Sequence, residues 1–99
     1  MAENPLKPIE ALDPDLYRLV DQTRQLALGD GVLPRKIKFL IAMALDASQG
    51  ASEGVAALAR AAIQAGATKQ EIAEALRVAQ YICGVGSVYT AARGLKDLP

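Results

Sequence analysis

The sequence predicts an all-α fold, a compact bundle of about five helices that assembles as an oligomer. Three observations predict it. Apolar residues recur at three- and four-residue spacing, and no segment shows the strict alternation of a half-buried strand. Cap and breaker residues divide the 99-residue chain into helix-length pieces. One of those pieces is apolar on every side, and a chain this short has little surface of its own with which to cover it.

Residues 1–12 carry Pro5 and Pro8 and no sustained period, so they read as an arm lying on the surface or on a neighbour, ahead of a single domain over 13–99. Asp13 is placed to cap a first helix with Pro14 at its first position. That helix runs to about Leu28, with Leu16, Leu19, Val20, Thr23, Leu26 and Ala27 on one face, and Gly29-Asp30-Gly31 ends it. Pro34 opens a second helix, PRKIKFLIAMALDAS. Arg35, Lys36 and Lys38 in its first turn oppose the helix dipole and read as a solvated turn, while Phe39 to Leu45 is apolar all round. Part of this helix is therefore expected to face another subunit.

A third helix, from about Ser52 to Ala65, is mostly alanine, with Val55, Leu58, Ala62 and Ile63 toward the core; Gly66 closes it. Thr68-Lys69-Gln70-Glu71 forms a capping box for a fourth helix, on which Ile72, Ala75, Leu76, Ala79, Ile82 and Cys83 recur at helical spacing. Gly84-Val85-Gly86 breaks the chain before a last short helix from Ser87 to about Lys96.

Composition excludes several function classes. Eleven Lys and Arg balance eleven Asp and Glu, which leaves no overall attraction to nucleic acid or to an acidic membrane. The segment AAIQAGATKQEIAEALRVA has the layout of a helix-turn-helix, but the would-be reading helix starts acidic and would repel phosphates. The N-terminal stretch lacks the apolar core of a secretory signal, and the longest apolar run is too short to span a bilayer, so a cytoplasmic location is expected. One cysteine forbids an intrachain disulfide. Histidine is absent, which removes the commonest general base and metal ligand, and no metal or cofactor is expected.

The block from Leu33 to Leu95 resembles the carboxymuconolactone decarboxylase family, which includes the alkylhydroperoxidase D-like proteins. The resemblance rests on LPRKIKFLIAMALDAS, then Ala62-x-x-x-Gly66-Ala67-Thr68, then Glu71-Ile72-x-Glu74-Ala75-Leu76. It implies an alkylhydroperoxidase D-like helical fold and assembly as dimers, trimers or hexamers. It also implies where chemistry would sit: a Cys-x-x-Cys and a histidine on the third helix fall on Ala51, Gly54 and Leu58, and a glutamate falls on Phe39. None of these positions carries a reactive group, so neither dithiol peroxidase chemistry nor the family's histidine-dependent decarboxylation is expected from this helix.

Two residues remain as catalytic candidates. Cys83 would be a peroxide-reactive or acylatable nucleophile; the competing reading, a small buried residue on the Ile72-Leu76-Ala79-Cys83 stripe, is favoured because the negative end of a helix disfavours a thiolate. Glu53, between the two absent cysteines, would serve as a general acid or base, against an ordinary role as a charge at a helix N-terminus. Arg60 would hold a carboxylate, and Tyr81 and Tyr89 would offer phenol donors, though aromatic residues so scarce are commonly packing anchors. Three functions follow as alternatives: Cys83-dependent peroxide or small-acid chemistry, binding of a small apolar molecule around Phe39, Ala51, Gly54 and Leu58, or assembly alone.

Overall fold

The computed structural model describes residues 4–98, and among them are six helices and no strand. The N-terminal segment is more ordered than expected of an arm. Residues Lys7–Leu12 form a short helix, α1, because Pro8 falls in its first turn, where a missing N–H costs nothing. Asn4 ties this segment down by donating from Nδ2 to Tyr17 Oη at 2.8 Å.

Helix α2, Pro14–Leu28, starts as predicted: Asp13 Oδ1 accepts from Leu16 N at 3.1 Å and Pro14 follows the cap. Its polar face is closed by its own ion pairs, Asp15 with Arg18 and Asp21 with Arg24. No residue of α2 is buried, and its apolar face stays largely open, although Leu28 at its end packs against the core.

Helix α3, Arg35–Ser48, is the shared wall of the bundle and touches α2, α4, α5 and α6. Its basic first turn is not simply solvated. Arg35 lies over the Phe39 ring, 5.3 Å from the centroid, Lys36 pairs with Glu71 of α5 at 3.1 Å, and Lys38 Nζ donates to Gly29 O at 2.8 Å. Each cation thus has a partner that offsets its unfavourable place at a helix N-terminus.

Helix α4, Ser52–Gln64, buries Val55, Ala59 and Ala62. Leu58 and Ile63 pack at the edge of the core, and Ala59, which the sequence reading passed over, is fully enclosed. The helix ends in a Schellman motif, with Ala67 N bonded to Ala62 O at 2.8 Å and Gly66 N to Ile63 O at 2.9 Å. Gly66 has φ +104, a conformation that only glycine adopts without strain. Helix α5, Lys69–Cys83, has both halves of the capping box: Glu71 N donates to Thr68 Oγ1 at 3.0 Å, and Thr68 N to Glu71 Oε1 at 2.8 Å. Helix α6, Gly86–Leu95, packs on α3, α4 and α5 and buries Ser87, Thr90 and Ala91.

The core enclosed by α3 to α6 is small. Of its eleven buried apolar residues six are alanines, and only Phe39, Leu40, Met43, Val55 and Ile72 are larger. Alanine lets the helix axes approach closely but contributes little apolar area, so a few side chains carry the burial. Met43, fully enclosed, is the largest of them with no exposure. Met43→Ala is expected to lower stability by about 2–5 kcal/mol in a denaturant titration.

The Glu71 carboxylate accepts from the Thr68 backbone N–H and from Lys36, which holds its pKa below the ordinary value of 4.5. The unfolded chain binds this proton more readily than the folded one, so stability rises with pH across the interval below 4.5. The stabilisation is complete above that value and is lost as pH falls through the lower folded-state pKa. Thermal melts at stepped pH should therefore show a loss of stability below pH 4.5 that Glu71→Gln reduces.

Candidate functional site

The helix on which the resemblance places chemistry is closed. Phe39 is buried, Leu58 packs against the core, and Ala51 is half-buried at the start of α4. Beside Gly54 the room for a side chain is taken by Asp46: a Cβ on Gly54 would meet the Asp46 carboxylate, with Cγ at 2.8 Å. Of the cavity expected around Phe39, Ala51, Gly54 and Leu58, the Gly54 side is thus occupied by Asp46, and Phe39 is drawn into the core. A carboxylate from α3 and a leucine from α4 take up the room.

An apolar groove lies instead between α3 and α5. It encloses about 360 Å³ and is lined by Ile37, Leu40, Ile41, Ala44 and Leu45 from α3 and by Ala75, Val78, Ala79, Ile82 and Cys83 from α5. The two helices run side by side, from the Lys36–Glu71 ion pair near their starts to Leu45 and Cys83 near their ends. The lining follows directly from sequence spacing. Ile37, Ile41 and Leu45 repeat every four residues and so form one ridge; Ala75, Ala79 and Cys83 do the same on α5 with side chains too short to fill the space.

Cys83 is exposed and contributes its side chain to this groove. The reading that made it a buried core residue is overturned. The stripe from Ile72 to Ala79 does enter the core, but α5 outruns the elements that cover it, and its last turn, with Ile82 and Cys83, stands clear. Glu53 is exposed on the first turn of α4 and is not among the groove residues, so the groove does not join the two catalytic candidates. Arg60 is exposed. Tyr81 and Tyr89 are exposed as well and anchor no packing within this chain. Among the described residues no cluster of three or more His, Cys, Asp or Glu is arranged to hold a metal ion, and no helix is long and apolar enough to cross a membrane.

The family model for the carboxymuconolactone decarboxylase family matches residues 14–97. The chain belongs to the carboxymuconolactone decarboxylase family. It is similar to the crystal structure of apo-lpg0406, a carboxymuconolactone decarboxylase family protein from Legionella pneumophila, at 31% identity and a TM-score of 0.84. That likeness covers 92% of this chain and 81% of the other. No match is found among curated proteins. The match takes in α2 to α6, so the all-helical decarboxylase-family fold read from the helix and turn spacing stands.

What the spacing did not reveal is how this family member fills its helix-α4 site. The residue that fills the space at Gly54 is Asp46, which directly follows the apolar run Phe39 to Leu45 in the sequence. A Gly54→Ala change separates the two effects at work. Alanine favours a helix by about 0.5–1 kcal/mol over glycine, whereas forcing a carbon against a packed neighbour costs about 1–3 kcal/mol. The neighbour here is the end of the flexible Asp46 side chain, which can turn aside, so Gly54→Ala should leave stability in urea within about 1 kcal/mol of the parent, and combining it with Asp46→Ala should leave only the stabilising helix contribution of alanine.

Proposed function

We propose that this decarboxylase-family chain works as a homo-oligomer that lacks the family's usual catalysis. The observation that carries this reading is the distribution of large apolar side chains. Among the described residues fifteen of them are exposed, from Leu12 and Leu16 on the N-terminal helices to Val88 and Tyr89 on α6, against five buried in the core and seven packed, partly buried, against it. At roughly 1.5–3 kcal/mol per fully buried large side chain, a substantial share of the available hydrophobic stabilisation lies outside the single chain. Association with further copies is the direct way to recover it, because every copy presents the same uncovered surfaces. The α4 positions at which the family resemblance places thiols and a histidine are occupied by Ala51, Gly54 and Leu58, which supports assembly rather than turnover.

A second reading has one observation in its favour, the exposed Cys83 thiol on an apolar groove. As a thiolate it would attack the terminal oxygen of an apolar hydroperoxide. The S–O bond forms as the O–O bond breaks, and the alcohol leaves with a proton. The sulfur, oxidised to sulfenic acid, would be returned to the thiol by two electrons from an external dithiol, with release of water.

Light scattering on the purified chain tests the assembly reading. The expected mass is a multiple of the 10.4 kDa chain, and a particle of 10.4 kDa across the micromolar range contradicts it. Peroxide consumption with excess dithiol tests the second reading. Turnover that Cys83→Ser abolishes would establish it, and equal background rates in both proteins would remove it.

A further inference from the structure

We propose that the α1–α2 hairpin is a strap that swings as one unit about the linker Gly29–Leu33 while α3 to α6 stay closed, and that Lys38 is the latch that holds it down. The inference goes beyond the assembly reading and does not rest on it. What carries it is how little ties the first third of the chain to the rest. No residue of α1 or α2 is buried, α2 meets the body chiefly along α3, and Leu28 is the one apolar side chain of the hairpin that packs against the core. Among the described residues a single hydrogen bond crosses from residues 4–29 to residues 34–98, from Lys38 Nζ to Gly29 O at 2.8 Å, and no ion pair does.

The polar groups of the hairpin are bonded within it. Asn4 Nδ2 donates to Tyr17 Oη and so joins the segment ahead of α1 to α2, Asp13 caps α2, and Asp15 pairs with Arg18. Arg24 and Gln25 both donate to Asp21, and Thr23 Oγ1 donates to Leu19 O. Lifting the hairpin away from α3 therefore strands no buried polar group. It gives up one charge-assisted hydrogen bond and the packing of Leu28. Segments held by so few buried contacts open at the low end of a protein's range of local stabilities.

The linker has the character of a hinge. Residues 30–33 make no backbone hydrogen bond, Val32 is fully exposed and Leu33 half exposed, so the path of the chain here is fixed by what grips its ends. Lys38 supplies that grip. Its ammonium rests on the Gly29 carbonyl and lies across the linker, close enough that a Cβ on Gly31 would come within 3.3 Å of Nζ. Gly29 follows the last residue of α2, at the negative end of that helix, where a cation is favoured. One side chain from α3 thus holds the end of α2 and the start of the linker together, and its charge suits the end of α2 rather than the start of its own helix.

The test is a pair of spin-label distances in the full chain, with Cys83 as one site because it is the only native thiol. Gln22→Cys, exposed on α2, reports the strap; Ala57→Cys, exposed on α4, gives a control distance within the body. Unlabelled chain in excess keeps every measured distance within one copy, whatever the mass of the particle. The expected result is a narrow control distance throughout, and for the strap a displaced second population that Lys38→Met raises at least fivefold. Lys38→Arg, which still donates to the Gly29 carbonyl, should return that population to the parent's level. A single narrow strap distance in the parent and in Lys38→Met alike overturns the proposal. Equal broadening of both distances by Lys38→Met also overturns it, since Lys38 would then hold the body together, and so does a Lys38→Arg protein that matches Lys38→Met. Should Lys38→Met fail to fold, Leu28→Ala loosens the same junction from the other side and is read in the same way; a strap distance that stays narrow there overturns the proposal.

Discussion

Helix α3 sets the terms for the rest of the molecule. It is the one element that touches α2, α4, α5 and α6, and its apolar character runs round its whole circumference. Phe39, Leu40, Met43 and Ala47 turn inward and organise the core; Ile41 and Leu45 turn outward along the groove beside α5 and stay about half exposed. A half-apolar helix would have been satisfied by the neighbours it has. This one leaves part of its apolar surface uncovered by the single chain.

The same economy of cover shapes the other helices. The alanines of α4 and α6 allow close helix approach, so the interior holds together with only five large apolar side chains. On α4 Asp46 lies against Gly54 and Leu58 packs on the core. An open apolar volume lies on the outer side of α3, against α5. The uncovered face follows from how the large and small side chains are distributed between the two sides of one helix.

Much of the fold was legible because its boundaries are set locally. Asp13 with Pro14, Gly66, and the Thr68–Glu71 box act within one turn of their own positions, and each falls where the spacing put it. Less legible were features that depend on what lies across the bundle. The proline-bearing segment before Asp13 looked aperiodic, and its short helix is fixed by contact between Asn4 and Tyr17, thirteen residues apart. Lys36 and Lys38 looked like solvated charges because their partners, Glu71 and the Gly29 carbonyl, are distant in sequence or belong to the backbone. Cys83 shared a stripe with core residues, yet helical period alone does not say where a covering element stops. The groove was visible in outline as the four-residue rows on α3 and α5, but only their side-by-side placement turns two rows into one surface.

Recovery of the missing apolar surface between copies, as proposed, couples folding to association, and thermal unfolding measured as a function of protein concentration reads that coupling out. Where folding is linked to association, the midpoint rises as the chain is concentrated, since mass action favours the covered state. A midpoint that climbs steadily over a hundredfold range of concentration is the predicted result. A midpoint that stays fixed over that range, with a cooperative transition at every concentration, would mean that the small alanine-rich core suffices alone and would contradict the account.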